Sequence, residues 1–204
     1  MIEEFNTVEA FSETKFKEKG SVFIGQVFPA LNEEQALEIL EQARKKFYDA
    51  THHCYAYCFS DIVKYSDDGE PSGTAGLRIY NAIQHFQLNN VILIVIRYFG
   101  GTKLGVGPLG KAYYNSAFQT IESAKILTKK SYLKFTIEFD FNQTSQIHYI
   151  LSKLGARILK TDYENHIVIT FLLRPSDKDK MEAFLEESLN NRAQMKDTGE
   201  LYFI

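Results

Sequence analysis

Three absences exclude large classes of protein. The aliphatic run at residues 91–96 is too short to cross a membrane, because a spanning helix needs about 20 residues. The N-terminal sequence MIEEFNTVEAF has neither the basic nor the apolar region of a signal peptide. The formal net charge of -3 argues against a protein that coats nucleic acid by bulk electrostatic attraction. A cytoplasmic protein with no membrane segment is therefore expected.

Cysteine is scarce, and its placement excludes two further roles. Cys54 and Cys58 lie in the run CYAYCF, which is typical of a strand. Four strand residues separate their Cα atoms by roughly 13 Å, whereas a disulfide requires less than about 7 Å. Beside His52 and His53 there is no second Cys or His pair for a zinc site. Both thiols are predicted to be buried and reduced, with Cys54 facing the same side of the strand as His52.

The first part of the chain predicts a mixed arrangement of strands and helices. Residues 61–76 are polar, contain SDDGEPSGTAG and are predicted to form a loop. Gly69, Pro71 and Gly73 indicate that this loop has a fixed shape. The predicted strands span residues 7–16, 21–28, 54–59 and 91–98, and the predicted helices span residues 33–47, 77–86 and 108–124.

The second part has a different order of elements. Predicted strands at 132–141, 157–163, 166–173 and 194–203 surround predicted helices at 143–154 and 177–189. Strand-helix-strand-strand-helix-strand is the ferredoxin-like split βαβ arrangement. The pattern changes between residues 126 and 130. We therefore predict an α+β protein with domains at residues 1–127 and 128–204.

A glycine-rich segment follows the strand at 91–98. Gly105, Gly107 and Gly110 match a dinucleotide fingerprint, and with Lys111 they match most of a Walker A loop. Both motifs require the first glycine directly after the strand, but residues 99–104 intervene, and Ala112 replaces the Ser or Thr that holds magnesium. No cofactor is therefore predicted. Two interpretations remain: a simple turn over a packed strand, or a backbone-amide and lysine site for a phosphate of a larger ligand.

The phosphate interpretation is favoured by local charge. Residues 97–130 contain six basic residues and one acidic residue. Basic residues next to aromatic ones suit contact with RNA phosphates and stacking on RNA bases, although many aromatics are core residues in any protein. The predicted phosphate-binding residues are Arg97, Tyr98, Phe99, Gly100, Gly101, Lys103, Gly105 and Lys111.

The acidic loop supplies a second candidate surface. Asp67, Asp68 and Glu70 are close in sequence, which raises the hypothesis of a hard-cation site. The ligand spacing of an EF-hand is absent, and clustered loop carboxylates are more often solvated, so no metal site is predicted. With His53, these residues are predicted to line a cleft opposite the glycine-rich loop.

Four ordered motifs resemble one known family. They are KGSVF at residues 19–23, DATHHCYAY at 49–57, SDDGEPSGTAG at 66–76 and RYFGGTKLG at 97–105. The chain resembles the IMPACT family, in particular its bacterial YigZ-type two-domain members. The resemblance covers residues 1 to 125 well. It departs from many relatives at Pro108 and Lys111, where glycine and arginine are expected.

The resemblance implies a fold and a cellular context. It implies an N-terminal domain similar to domain 2 of ribosomal protein S5, followed by a ferredoxin-like domain resembling domain V of elongation factor G. Eukaryotic relatives modulate translation through a stress-kinase activator pathway. They carry an additional RWD domain that this sequence does not contain, so their partner is not transferred.

Three functions are weighed on these grounds. The leading expectation is a non-enzymatic, cytoplasmic regulator of translation that binds RNA or the ribosome, with no signal specific to DNA. The alternatives are a small hydrolase whose cleft joins the two loops, with His53 or Asp68 as general acid or base, and a protein-interaction module without nucleic acid. No G-x-S-x-G, H-E-x-x-H or serine triad is evident, so no catalytic residue is assigned.

Overall fold

The computed structural model describes residues 3–59, 62–163, 165–189 and 193–204. These residues form two compact units, one of residues 5–128 and one of residues 129–204 together with the N-terminal residues up to Glu4. Both units combine strands and helices, as the sequence predicts. No helix in the described ranges is both long and apolar enough to cross a membrane.

The order of strands and helices differs between the two parts of the chain. The first part contains β1 (Glu4–Val8), β2 (Ser12–Glu18), β3 (Ser21–Pro29), α1 (Glu33–Lys46), β4 (His52–Phe59), β5 (Ile62–Ser66), α2 (Gly76–His85), β6 (Val91–Tyr98) and α3 (Val106–Glu122). Then come β7 (Ile126–Phe139), α4 (Thr144–Lys153), β8 (Arg157–Tyr163), β9 (Ile167–Leu173), α5 (Lys178–Leu189) and β10 (Gln194–Phe203).

The sheet of the first unit is built around β6. Its strand order is β2-β3-β6-β4-β5, and each neighbouring pair is antiparallel. Alternate residues of β6 point to opposite faces. Leu93 and Val95 pack with α2 and α3 on one face, whereas Ile94 and Ile96 pack with α1 on the other. Each fully buried side chain of this size contributes about 1.5–3 kcal/mol, so the continuous apolar run fixes β6 at the centre.

Local signals account for the elements that surround this strand. The side chain of Asn32 accepts a hydrogen bond from the backbone amide of Gln35, so Asn32 caps α1. Cys54 and Cys58 are both buried, which confirms that part of the prediction. Cys54 packs on the α2 and α3 side, and Tyr57 of the same strand packs on the α1 side. The predicted alternation along β4 is therefore confirmed.

Several predicted boundaries are wrong, of which four change the description most. Residues 62–66 form strand β5 rather than loop; Ile62 and Tyr65 are exposed on this edge strand, so no burial pattern marks it. The predicted strand at 7–16 is two strands, β1 and β2. Helix α3 begins at Val106, two residues before Pro108. Strand β7 begins at residue 126 rather than 132, because its first residues are mostly exposed and show little apolar pattern.

The second unit has the predicted order of elements. Four strands of its five-stranded sheet lie in the order β10-β7-β9-β8, and each of these neighbouring pairs is antiparallel. One face of this sheet packs against α4 and α5 through Phe135, Ile137, Ile147, Ile150, Leu151, Ile169, Phe171, Met181 and Leu185.

Candidate functional site

The buried end of β6 places Arg97 inside the first unit. Arg97 continues the face of β6 that carries Leu93 and Val95, and it is only 5% exposed. Its guanidinium carbon lies 5.4 Å from the ring centroids of both Phe23 and Phe99. A charged group in such a place requires a partner, because burial removes it from water.

Glu70 supplies that partner. Its side chain is 4% exposed, and its Oε1 accepts a hydrogen bond from Nη1 of Arg97 at 2.5 Å. The hydroxyl of Tyr113 donates to the same oxygen at 2.7 Å, and Nη2 of Arg97 donates to Oγ of Ser21 at 3.2 Å. Nε2 of His52 lies 3.8 Å from Oε1 of Glu70. These groups form one buried polar network, which connects the acidic loop to β6 and α3.

The acidic loop has a fixed shape, as its glycines and proline indicate. The carboxylate of Asp67 accepts hydrogen bonds from the backbone amides of Gly73, Ala75 and Gly76 at 2.8, 2.9 and 2.8 Å. Two of these amides open helix α2, where a negative charge also interacts favourably with the helix dipole. Asp67 therefore caps α2 from inside the loop, and both of its oxygens are occupied by the protein's own backbone.

The two histidines of β4 face opposite sides. Nδ1 of His52 donates to the carbonyl oxygen of Asp68 at 2.7 Å, which directs Nε2 towards Glu70. His53 instead contacts the carbonyl oxygen of Phe47 through Nε2 at 3.0 Å. Oδ2 of Asp68 accepts from the backbone amide of His53 at 2.6 Å. His52 therefore faces the buried network, whereas His53 and the carboxylate of Asp68 contact each other and the end of α1.

Cys54 and Tyr113 lie beneath this network. The thiol of Cys54 donates to the carbonyl oxygen of Asp67 at 3.0 Å, and the hydroxyl of Tyr113 lies 3.4 Å from Sγ. Burial raises the pKa of the Cys54 thiol and the pKa of the Tyr113 hydroxyl far above their ordinary values. Both groups therefore keep their protons, and Cys54 is not an activated nucleophile.

The glycine-rich loop is held at only a few points. The backbone amide of Phe99 donates to Oγ1 of Thr51 at 3.1 Å, and that of Gly100 donates to Oγ of Ser21 at 3.2 Å. A Cβ added to Gly100 would lie 1.9 Å from the carbonyl carbon of Gly20. Glycine is therefore required at position 100, because the backbone of the β2–β3 turn passes directly over it.

Helix α3 begins beside this loop without a side-chain cap. Gly105, with φ of 86°, is its N-cap residue and supplies no side-chain hydrogen bond to the helix. No acidic residue lies in the first turn. The first amides of a helix have no partner inside the helix, so those of Val106 and Gly107 face outward with the positive end of the helix dipole.

Two cavities adjoin the start of α3 and share Val106. The first, which we call the loop cavity, has a volume of about 440 Å³ and lies between the acidic and glycine-rich loops. It is lined by Thr51, His52, Glu70, Pro71, Arg97, Phe99, Lys103, Leu104, Gly105, Val106 and Leu109. The second, which we call the helix cavity, has a volume of about 410 Å³. It is lined by Arg78, Asn81, Val106, Gly107, Gly110, Lys111 and Tyr114.

The structure separates the residues predicted from sequence. The loop cavity brings together Glu70, Arg97, Phe99, Lys103 and Gly105, whereas Lys111 lines the helix cavity. The others lie outside both linings, namely His53, Asp67, Asp68, Tyr98, Gly100 and Gly101.

Tyr98 was predicted but lies away from both cavities, whereas two residues that line the cavities were not predicted. Tyr98 packs on the α1 side of the sheet, where its hydroxyl donates to Asp49 at 2.8 Å. His52 was missed although alternation already separated it from His53; the missing information was the pairing of His52 opposite Arg97. Arg78 was missed because nothing in the sequence of α2 shows that it lies beside Gly110 of α3.

Known proteins match both units. Residues 19–121 match the Impact N-terminal domain, and residues 137–192 match a domain of unknown function, DUF1949. The first match contains the acidic loop, the glycine-rich loop and all residues of both cavities.

Similarity extends over nearly the whole chain. The chain is 27% identical to the IMPACT family member YvyE of Bacillus subtilis, covering 100% of this chain and 95% of the relative. It is 29% identical to the IMPACT family member YigZ of Escherichia coli, covering 76% and 78%. A crystal structure described as that of an hypothetical protein superposes with a TM-score of 0.68 at 26% identity, covering 96% of this chain and 97% of that one. The chain belongs to the IMPACT family.

Proposed function

We propose that this protein is an RNA-binding regulator of translation that associates with the ribosome. One observation carries the proposal: three cations surround the uncapped start of α3. Lys103, Lys111 and Arg78 line the two cavities, and within the described ranges none of them is paired with a carboxylate. Unpaired cations beside outward-facing helix amides form a site for phosphate groups.

The proposed roles of the basic residues differ. The charge of Arg97 is neutralised by Glu70, and its Nη atoms are bonded within the protein. Arg97 therefore holds the loop cavity in shape, and the phosphate contacts fall to Lys103 and Lys111. Gly105 allows α3 to begin without a side chain that would cover the amides.

The folds that we infer for the two domains support a role in translation. We infer that residues 1–127 form a domain like domain 2 of ribosomal protein S5 and that residues 128–204 form a ferredoxin-like domain. The antiparallel strand order β10-β7-β9-β8 and the position of two helices on one face support the second inference. Fold alone does not determine function, so the proposal depends on the cations around α3.

The decisive test removes two lysines. We expect Lys103→Ala/Lys111→Ala to weaken binding to single-stranded RNA and to ribosomal subunits, and to lower the slope of log affinity against log salt by about 1.4, or about 0.7 for each lost phosphate contact. Cosedimentation in low-salt gradients and RNA titrations at several salt concentrations measure both quantities.

The control variant changes the net charge by the same amount at another surface. Lys45→Ala/Lys46→Ala removes two exposed lysines from α1, on the opposite face of the sheet. It should leave affinity and salt slope nearly unchanged. Unaltered binding by a folded Lys103→Ala/Lys111→Ala protein contradicts the assignment.

A hydrolase remains the second candidate, on one specific observation. His52 and Glu70 line the loop cavity with Nε2 and Oε1 3.8 Å apart, a pair that suits general acid-base chemistry. This pair replaces His53 and Asp68, which lie outside the lining. Turnover of a phosphoester or amide in a broad substrate panel, lost in His52→Gln, is the expected result; absence of turnover rejects this candidate.

A further inference from the structure

We propose that the loop cavity holds one unpaired base of a single-stranded RNA, and that the strand crosses the start of α3 into the helix cavity. This inference rests on the proposed function and specifies its ligand. The phosphate next to the base lies against Lys103 and the first amides of α3. The following phosphate lies against Arg78 and Lys111.

The walls of the loop cavity suit a flat group with little polarity. Pro71, Leu104, Val106 and Leu109 line it together with the ring of Phe99. Its volume of about 440 Å³ falls within the range of roughly 300–1,000 Å³ that is usual for small-molecule pockets. A nucleobase combines a flat ring with an attached anion, and it is therefore complementary to an apolar cavity with a cationic rim.

Phe99 is placed to stack on that base. Its side chain is 46% exposed, although it is a large aromatic group, and its backbone is held by Thr51. The guanidinium of Arg97 lies 5.4 Å from the ring centroid and so restrains the ring within the protein. Stacking of bases on aromatic side chains tolerates different sequences, because every base has a π-face.

Arg97, a lining residue of the loop cavity, also contains a buried hydrogen-bond donor, Nε, without a partner among the described residues. A buried donor without an acceptor carries an unrecovered desolvation penalty. A carbonyl oxygen or ring nitrogen of a base is an acceptor of the required kind. Thr51 and His52 add polar residues to the same lining.

The helix cavity has the opposite character. Within the described residues its lining carries two cations, Arg78 and Lys111, and no Asp or Glu. Nε of Arg78 donates to the carbonyl oxygen of Gly73 at 3.2 Å. This bond holds the arginine side chain against α3. A Cβ added to Gly110 would lie 3.2 Å from that Nε, so the glycine makes room for the arginine. Arg78 is thus an additional phosphate-contacting residue.

The arrangement selects single strands over duplexes. In a duplex each base is paired and stacked, and extracting one requires breaking both its pairing and its stacking. A base in an unpaired strand reaches the loop cavity without this penalty. Because both cavities include Val106, a short stretch of one strand occupies them together.

A fluorescent variant tests the stacking directly. The protein has no tryptophan, so Phe99→Trp introduces a single reporter. We expect a ten-nucleotide single-stranded RNA to quench its emission, and the same sequence as a duplex to bind at least tenfold more weakly. Phe99→Ala should weaken single-strand binding about 5- to 100-fold, given the measured energies of base stacking. Phe141→Trp, on an exposed residue of the second unit, is the matched control and should not respond.

Further experiments distinguish a nucleic-acid strand from a free nucleotide as the ligand. They also separate the base site from the proposed function. Arg78→Ala should reduce the salt slope for single strands by about 0.7. Equal affinity for adenosine monophosphate and for the ten-nucleotide strand overturns the path across α3 in favour of a free nucleotide. RNA binding that is insensitive to Phe99→Ala, with no change in the emission of the Phe99→Trp variant, overturns the base site but keeps the proposed function. Absence of RNA and ribosome binding by the unmodified protein rejects both.

Discussion

The acidic and glycine-rich loops face the same cavity but use their polar groups in opposite ways. The acidic loop directs its carboxylates to the protein: Asp67 accepts three backbone amides and Glu70 pairs with Arg97. The glycine-rich loop has few internal bonds and leads to Lys103, whose charge has no carboxylate partner in the described ranges. Our proposal for the binding loop therefore rests on the groups that are left without partners and not on charge density in the sequence.

Because of this difference, we expect the two loops to have different roles. A loop whose carboxylates are already bonded makes a fixed wall, because moving it would break several buried hydrogen bonds at once. A loop with free cations and open amides can exchange bound water for a ligand. Removing a carboxylate of the acidic loop should therefore lower the free energy of unfolding, whereas removing the cation of the glycine-rich loop, Lys103, should weaken the proposed binding.

The largest expected effect comes from breaking the buried ion pair. Glu70→Ala leaves Arg97 buried without a counter-charge, and we expect a loss of about 3–5 kcal/mol in the free energy of unfolding. Urea denaturation at pH 7 measures it. Glu41→Ala is the matched control, because it removes an exposed partner of Arg44 and should cost less than about 1 kcal/mol. Equal losses in the two variants would show that Glu70 has no special structural role.

The next largest effect concerns the close contact between Gly100 of the glycine-rich loop and the backbone of Gly20. Gly100→Ala places a methyl group against the backbone of Gly20, and we expect a loss of about 3 kcal/mol, at the upper end for overpacking. Gly107→Ala is the control, since a Cβ there meets no atom within 4 Å and the residue is helical. Thermal unfolding of both should show a loss only at position 100. A Gly100→Ala protein of normal stability contradicts the tight packing.

A smaller loss is expected within the acidic loop. Asp67→Asn turns an amide nitrogen towards one of the three backbone donors, so that two donors face each other. We expect a loss of about 1–3 kcal/mol and faster proteolytic cleavage between residues 66 and 76. Asp162→Asn, on the exposed strand β8, should change neither quantity. Unchanged protease resistance of the Asp67 variant would mean that other bonds hold the loop.

The smallest expected effect is a loss of stability at alkaline pH. The pKa of Cys54 is raised in the folded state, so the folded protein keeps a proton that the unfolded chain releases above about pH 8.5. The associated stability is complete below that pH and declines above it, by about 1 kcal/mol per group between pH 8.5 and 9.5. Cys54→Ala should show a shallower decline in urea unfolding across this range. An identical decline would assign the effect to other groups, such as Cys58 and Tyr113, whose pKa values are also raised.

The sequence predicts most elements because their signals are local. The run at 91–96 and the cap at Asn32 depend on neighbouring residues only, and β6 and α1 are confirmed. Strand β5 was missed because pairing with β4, rather than burial, makes it a strand. The cavity lining depends on register and on contacts between distant segments, such as His52 opposite Arg97. A single sequence contains the basic residues but does not show which of them Glu70 neutralises.

The hydroxyl of Ser21 has a consequence for folding kinetics. It accepts hydrogen bonds from Arg97 and from the amide of Gly100, which lie 76 and 79 positions later in the chain. Contacts of such separation form only after the intervening strands have paired, because closing the long loop must come first. The glycine-rich loop is therefore expected to take its final shape late. During refolding, secondary structure should return before the proposed capacity to bind RNA.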